Sequence, residues 1–396
     1  MYGRVFWLAC CVAGLALGGC DSSTSSSGGS GGSGGAGGSG GSGGMGGSGG
    51  SSGETRLVVT ADWLNQSLTL LDYDKLIDGE SDADAAILGT IDLSDWGPGP
   101  IEVEITPDGK TAVVSVGPAF FDGLPGLVGD PEILGGGTLL IVDLESGVVD
   151  EVQTEDVPLG IAISPDGTKA YTANYGTGDA RGDSLSVIDI PGRQVIEEVD
   201  VGSGPEQVAL SPDGSLGIVN IVSGDGVRIF QTSDVAGTMS DVIATGDDPS
   251  DVSFLDGNDR AVVANTFSFN VTLIDTSDPG TPSVIDSVAV GVGIPYGLTY
   301  VPMRDEILAP TNSTGPGMPT NLITITRSGD ALTSSTPLQL PGENFPLTAA
   351  ADSEGEFAFV AHIVDHKLSI VDLETGETRA IEWLAEPGPA YVAVQP

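Results

Sequence analysis

The feature that most limits what this chain can become is one short phrase written seven times. A proline is followed by a small apolar strand and, in most copies, a tight turn. The clearest copies read PIEVEITPDGK at 100–110, PLGIAISPDGT at 158–168 and PEQVALSPDGS at 205–215. Weaker copies begin at Pro249, Pro295, Pro346 and Pro389. Consecutive prolines stand 58, 47, 44, 46, 51 and 43 residues apart. Four-stranded blades of propellers recur at roughly 40–50 residues.

Residues 158–203 show how one unit becomes a blade. Residues 159–163 are apolar at nearly every position, as in a strand covered on both faces. Ser164-Pro165-Asp166-Gly167 then makes a turn, because proline presets φ, aspartate bonds its own backbone and glycine relieves the exit. KAYTAN at 169–174, SLSVIDI at 184–190 and VIEEVDV at 195–201 read as the second, third and fourth strands. No stretch of the body has an apolar period of 3.6 residues. The expected fold is all-β: a seven-bladed β-propeller of four-stranded antiparallel blades. The last copy, YVAV at 391–394, has no room for three more strands. Residues 57–62, 68–72 and 87–93 supply them, so the C-terminal strand is expected to pair with the N-terminal ones and close the ring.

These residues resemble the YVTN-repeat family of β-propellers. SPDG at 164–167, YTAN at 171–174, LSVID at 185–189 and VGSGP at 201–205 match its pattern in order, and AVVAN at 261–265 with VTLID at 271–275 repeats the ending. The resemblance covers the whole body. It implies a propeller of the superfamily that also holds seven-bladed lactonases, and says little about activity.

The N-terminus reads as an address. Arg4 precedes an apolar run over 5–17 that is short for a bilayer, ending in Leu17-Gly18-Gly19-Cys20. That ending resembles the lipobox of bacterial lipoproteins, which implies a lipidated Cys20 at the mature N-terminus. Residues 21–53 hold 17 Gly and 12 Ser in 33 positions, a coil spanning on the order of 30 Å. The expected organisation is therefore a signal peptide over 1–19, lipidated cysteine and tether over 20–54, and propeller over 55–396. Cys10 and Cys11 fall in the removed segment, so no disulfide or cysteine nucleophile is available downstream. The location implied is the cell envelope, lipid-anchored, facing the periplasm or the cell surface.

The charge narrows the partners. With 56 acidic against 13 basic residues, nucleic acid is excluded, because its phosphates need Lys and Arg. Anionic head groups would repel the body, which leaves the lipid to hold the membrane. The remaining expectation is a monomer whose partner is a protein, a glycan or a small molecule.

In a propeller the first strand begins, and the second ends, on the same rim of the central channel. Two residues after each proline stand Glu102, Gly160, Gln207, Asp251, Gly297, Thr348 and Tyr391; second strands end at positions such as Asn174, Asn265 and His362. Glu102, Gln207, Asp251, Asn174, Asn265 and His362 are the candidate ligand-binding residues. Glu104 also breaks the repeat, since other blades carry small residues four positions after the proline. Such a mouth suits a polar ligand or a hard cation such as Ca²⁺, which takes six to eight oxygens. The asparagines alternatively bond turn backbone. His362 and His366 are the only histidines, and their spacing does not converge on a metal outside a helix. No residues are assigned to catalysis or to a metal: outside the Gly/Ser tether G-x-S-x-G does not occur. A binding scaffold is the first reading, and a lactonase-like or metal-dependent hydrolase using the channel mouth is the alternative. A long segment, 118–137, interrupts the pattern with apolar residues that suit a lid or a local cover.

Cys20→Ser is expected to shift the protein from the detergent-rich to the aqueous phase of Triton X-114. A wild-type protein that already partitions into water would refute the lipid anchor.

Overall fold

A computed structural model describes residues 55–80, 82–117, 137–177, 181–312, 319–341, 345–383 and 387–396. Cys20, the tether and most of the rim segment (118–136) lie outside the described residues.

Seven antiparallel sheets are arranged as the blades of a propeller. Blade 1 combines residues 57–92 with 389–394; blades 2 to 7 span 100–154, 161–200, 205–244, 249–289, 294–339 and 346–382. Blade 6 is the irregular one, its first and fourth strands each broken into two pieces. In blade 1, Pro389–Val394 is the innermost strand and runs antiparallel to Leu57–Asp62, with Tyr391 opposite Ala61 and Val392 opposite Thr60. The ring is closed as the repeat count requires.

Burial explains why these strands do not stand alone. Inner strands are covered on both faces, and Leu216–Ile221 is buried along its whole length. Outer strands such as Gln194–Asp200 turn Glu197 and Glu198 to solvent, charging the edge that would otherwise pair with another chain. Seven apolar clusters fill the seven gaps between neighbouring blades. Tyr171 and Phe230 meet between blades 3 and 4, their ring centroids 6.2 Å apart. Phe359 meets Tyr73 between blades 7 and 1. The cluster between blades 1 and 2 is the largest, because it also extends over the top of the channel.

The Pro-Asp-Gly turns follow their sequence chemistry. Thr106, Ser164 and Ser211 hydroxyls donate to Asp108, Asp166 and Asp213, and Gly109, Gly167 and Gly214 take φ between 70° and 73°. The hydroxyl and backbone donors hold these carboxyls below the usual range, Asp166 at about 2. Among the described residues three short α-helices appear where none was expected. Tyr73–Ile77, Ala83–Ala86 and Val235–Thr238 are each one turn or little more, too short to write an apolar period, and each is capped by an aspartate: Asp72, Asp82 and Asp234.

The junction of the chain ends is clasped by Arg56. It donates to the Gln395 carbonyl (2.8 Å), Glu354 (2.6 Å) and Ser353 (3.0 Å), and its guanidinium lies 4.5 Å from the Tyr73 ring centroid. Arg56→Ala is expected to lower stability by about 1–3 kcal/mol, the range for a charge-assisted bond lost beside a packed ring. Thermal unfolding of the variant checks this, and an unchanged midpoint would show that strand pairing alone holds the closure.

Candidate functional site: the mouth of the central channel

The first strand of five blades carries a register shift just after its opening proline, between Pro100 and Val103, Pro205 and Val208, Pro249 and Asp251, Pro346 and Ala349, and opposite Ala61–Asp62 in blade 1. Such bulges re-aim side chains. Here they produce two successive layers around the axis.

The upper layer is a mostly apolar collar formed one residue after each proline. Ile101, Leu159, Tyr296, Leu347 and Ala390 are buried in one cluster at the top of the channel. Two polar residues interrupt it. The Tyr296 hydroxyl is hydrogen-bonded to the Glu206 carboxylate, and Ser250 Oγ donates to the Tyr296 carbonyl at 2.8 Å. Burial pushes the Glu206 carboxyl well up, and neighbouring Asp248 adds to the rise.

The layer beneath is acidic. Glu102, 2 % exposed, accepts the Ile161 N–H on Oε1 (3.0 Å) and Gln207 Nε2 on Oε2 (2.5 Å). The same Gln207 amide donates to the Tyr391 hydroxyl at 2.8 Å. Gln207 reaches this far because Gly160 lies between: a Cβ there would sit 2.6 Å from Gln207 Cα. Three blades further round, Asp251 accepts the N–H groups of Val252 (2.7 Å) and Leu298 (2.6 Å). Glu104, two residues below Glu102, shares a field with Asp251. Burial pushes both carboxyls up to about 7, with Asp251 adding to the rise at Glu104. Glu102 is pushed well up by burial, then by Glu104 and Asp251.

The structure thus brings Glu102, Gln207 and Asp251 together around the channel, with Glu104. Asn174, Asn265 and His362 are placed elsewhere. Each is fully buried inside its own blade and bonds the neighbouring third strand: Asn174 Nδ2 donates to Ser184 (2.9 Å) and Ser186 (2.7 Å), Asn265 Nδ2 to Asn270 (2.9 Å) and Thr272 (3.0 Å), and His362 Nε2 pairs with Ser369 Oγ (2.7 Å). Asn220, at the equivalent position, instead accepts from the backbone of Glu206 (3.1 Å) and Gln207 (2.5 Å), and so sets the two residues that enter the channel. Glu206 and Tyr296 were not foreseen. The signal was present, since Glu206 puts a charge at a mostly apolar position after the proline just as Glu104 breaks a small one.

A divalent ion does not fit what is assembled. Both oxygens of Glu102 and of Asp251 already accept protein donors, and among the described residues no group of three or more His, Cys, Asp or Glu converges to hold a metal.

No family model and no curated protein matches this chain. Solved structures do. A functionally unknown protein from Desulfotomaculum acetoxidans is 15 % identical, covering 86 % of this chain and 99 % of its own, with a TM-score of 0.66. The periplasmic gluconolactonase of Pseudomonas aeruginosa is 16 % identical over 87 % of this chain and 99 % of its own, TM-score 0.65. Kuenenia stuttgartiensis hydrazine synthase is 22 % identical over 70 % of this chain and 77 % of its own, TM-score 0.56. At these identities the likeness is one of fold.

The raised carboxyls make stability depend on pH. Folded Glu104 keeps its proton up to about 7, while in the unfolded chain it is lost near the ordinary 4.5. The folded state binds more protons in that window, so stability falls as pH rises through it and is level above. Glu104→Gln removes one such group. Its stability should equal the wild type's near pH 4 and exceed it at pH 8, by about 1–3 kcal/mol after allowance for channel water, read from unfolding curves at each pH. An unchanging difference between the two proteins across this range would contradict the raised Glu104 carboxyl.

Proposed function

We propose that the protein is a YVTN-type propeller lipoprotein, held to a membrane through lipid on Cys20, whose channel mouth and rim serve binding rather than catalysis. One observation carries this reading: among the described residues, the mouth offers recognition groups without a nucleophile and its base. Its carboxylates are held by backbone N–H groups, by Gln207 and by Tyr296. His362 is locked against Ser369 inside blade 7, and no cysteine follows Cys20. A site of this kind grips a polar ligand and leaves it unchanged. The 56 acidic residues keep such a module soluble and away from anionic surfaces except through its lipid.

A second reading, hydrolysis of a lactone, is favoured by Glu104 and Asp251. They belong to blades three apart in a ring of seven, and both carboxyls are pushed up to about 7. At neutral pH one can hold a proton while the other accepts one, which is the requirement for an acid–base pair. The similarity in fold to a periplasmic gluconolactonase makes glucono-δ-lactone the substrate to try. With the full-length protein in detergent, ring opening is expected at the spontaneous rate and identically in Glu104→Gln and Asp251→Asn. Turnover by the wild type that both substitutions abolish would replace the binding reading with the hydrolase.

A further inference from the structure

Arg181 stands at the rim of the mouth without a counter-ion. It opens the third strand of blade 3, Arg181–Asp189, opposite Gly176. Its guanidinium carbon lies 4.7 Å from the ring centroid of Tyr175, and Tyr175 belongs to the buried cluster that holds Tyr296 and Leu347 over the channel. Burial and then Asp248 raise the Glu206 carboxyl, and Arg181 opposes them, so the cation shares the field of the Glu206–Tyr296 pair. Yet the two charges do not meet. Arg56, Arg193, Arg260 and Arg304 each hold a carboxylate within salt-bridge distance, whereas Arg181 holds none among the described residues. Its Nη1 is buried and has no hydrogen-bond partner. A donor left so costs free energy that a ligand's oxygen would return. The side chain as a whole is only half-buried, which leaves the cation open to the rim.

Gly204, in the loop that leads from blade 3 into blade 4, brings a second donor to the same place. A Cβ on Gly204 would lie 3.0 Å from Arg181 Nη1, 3.3 Å from Arg181 Cδ and 3.4 Å from Ser223 Oγ. The bare glycine thus lets a guanidinium and a hydroxyl face one another across a single stretch of backbone. Val222 N–H donates to the Gly204 carbonyl at 2.9 Å, which pins the strand end that carries Ser223. Ser223 Oγ meets the exposed Ser203 hydroxyl at a long 3.3 Å, a bond that is cheap to exchange.

The surroundings set the charge of the partner. With Asp248 on the same side and 56 acidic residues in the chain, a dianion is repelled, while one guanidinium neutralises one carboxylate.

We propose that Arg181 and Ser223 form a subsite over Gly204 for the carboxylate of a small monocarboxylic acid, which anchors the ligand at the rim of the channel mouth. A turn of the half-buried guanidinium aims Nη1 at one carboxylate oxygen, and the Ser223 hydroxyl donates to the other. Tyr175 supports the guanidinium from beneath through its ring face. The inference rests on reading the mouth as a binding site and names the group by which its ligand is held.

The test is calorimetry on the full-length protein in detergent at pH 7, with propionate as the probe and propionamide, its neutral isostere, and sulfate as comparisons. Saturable one-to-one binding of propionate is expected, with none of the amide or of sulfate. Arg181→Gln should weaken it by about 10- to 100-fold, the span for a hydrogen bond to a charged partner. Arg193→Gln removes the same charge from the outer hairpin of blade 3, where Arg193 holds Asp150, and should leave binding unchanged. Ser223→Ala should weaken it by about 2- to 10-fold. Equal losses in Arg181→Gln and Arg193→Gln would reduce the effect to net charge and overturn the proposal, as would uptake of propionamide or sulfate on the same terms. If Arg181→Gln fails to fold, Ser223→Ala decides: an affinity it leaves unchanged overturns the subsite. So does silence toward propionate; in a protein that still partitions with detergent and leaves lactone intact, that result removes the ligand class and leaves the tethered binding module standing.

Discussion

The whole molecule depends on one sheet in which the two ends of the body meet. Each apolar cluster is shared between two blades, so no blade owns a complete core. In an open row the terminal sheets would each expose a hydrophobic face. Pairing Pro389–Val394 with Leu57–Asp62 converts the row into a ring and turns both faces inward. Arg56 reinforces that seam with a charged, partly stacked contact at its end.

Closing seven sheets about an axis leaves a narrow space that only first-strand residues reach, and its chemistry is set by small departures from the repeat. Acid near the axis persists because the next blade offers a backbone N–H to each carboxylate, Ile161 to Glu102 and Leu298 to Asp251. Those bonds stabilise the charged form, and burial opposes it. The balance leaves Asp251 near neutrality in its titration, where a ligand's charge decides its protonation. A polar network of this kind is stable only where every member is satisfied. The half containing Gln207 meets that condition, and the half containing Thr348 does not.

Much of this was legible in the residues. The proline spacing counts the blades, Pro-Asp-Gly marks the inner hairpins, and the shortage of strands at the C-terminus requires the closure. The channel acids were legible too, because Glu102, Glu104 and Asp251 interrupt small or variable positions in an otherwise regular text. The second-strand ends were less so. Asn174, Asn265 and His362 sit where strands covered on both faces stop, and alternation cannot say which way a side chain turns there. Their direction is set by hydroxyls on the adjacent strand, Ser186, Thr272 and Ser369, a cross-strand pairing that shows only once the register is known. The aspartate-capped single turns escaped for a simpler reason: four or five residues carry no periodicity.

The seam at Arg56 also fixes a direction. Arg56 touches Ser353 and Glu354, and Gln395 reaches Gly109, all in turns that join first strands to second ones. Those turns occupy the end of the axis remote from Glu206 and Tyr296. The polypeptide therefore joins the disc at the end of the axis remote from the hub opening, so the described body begins on the face opposite Glu206 and Tyr296.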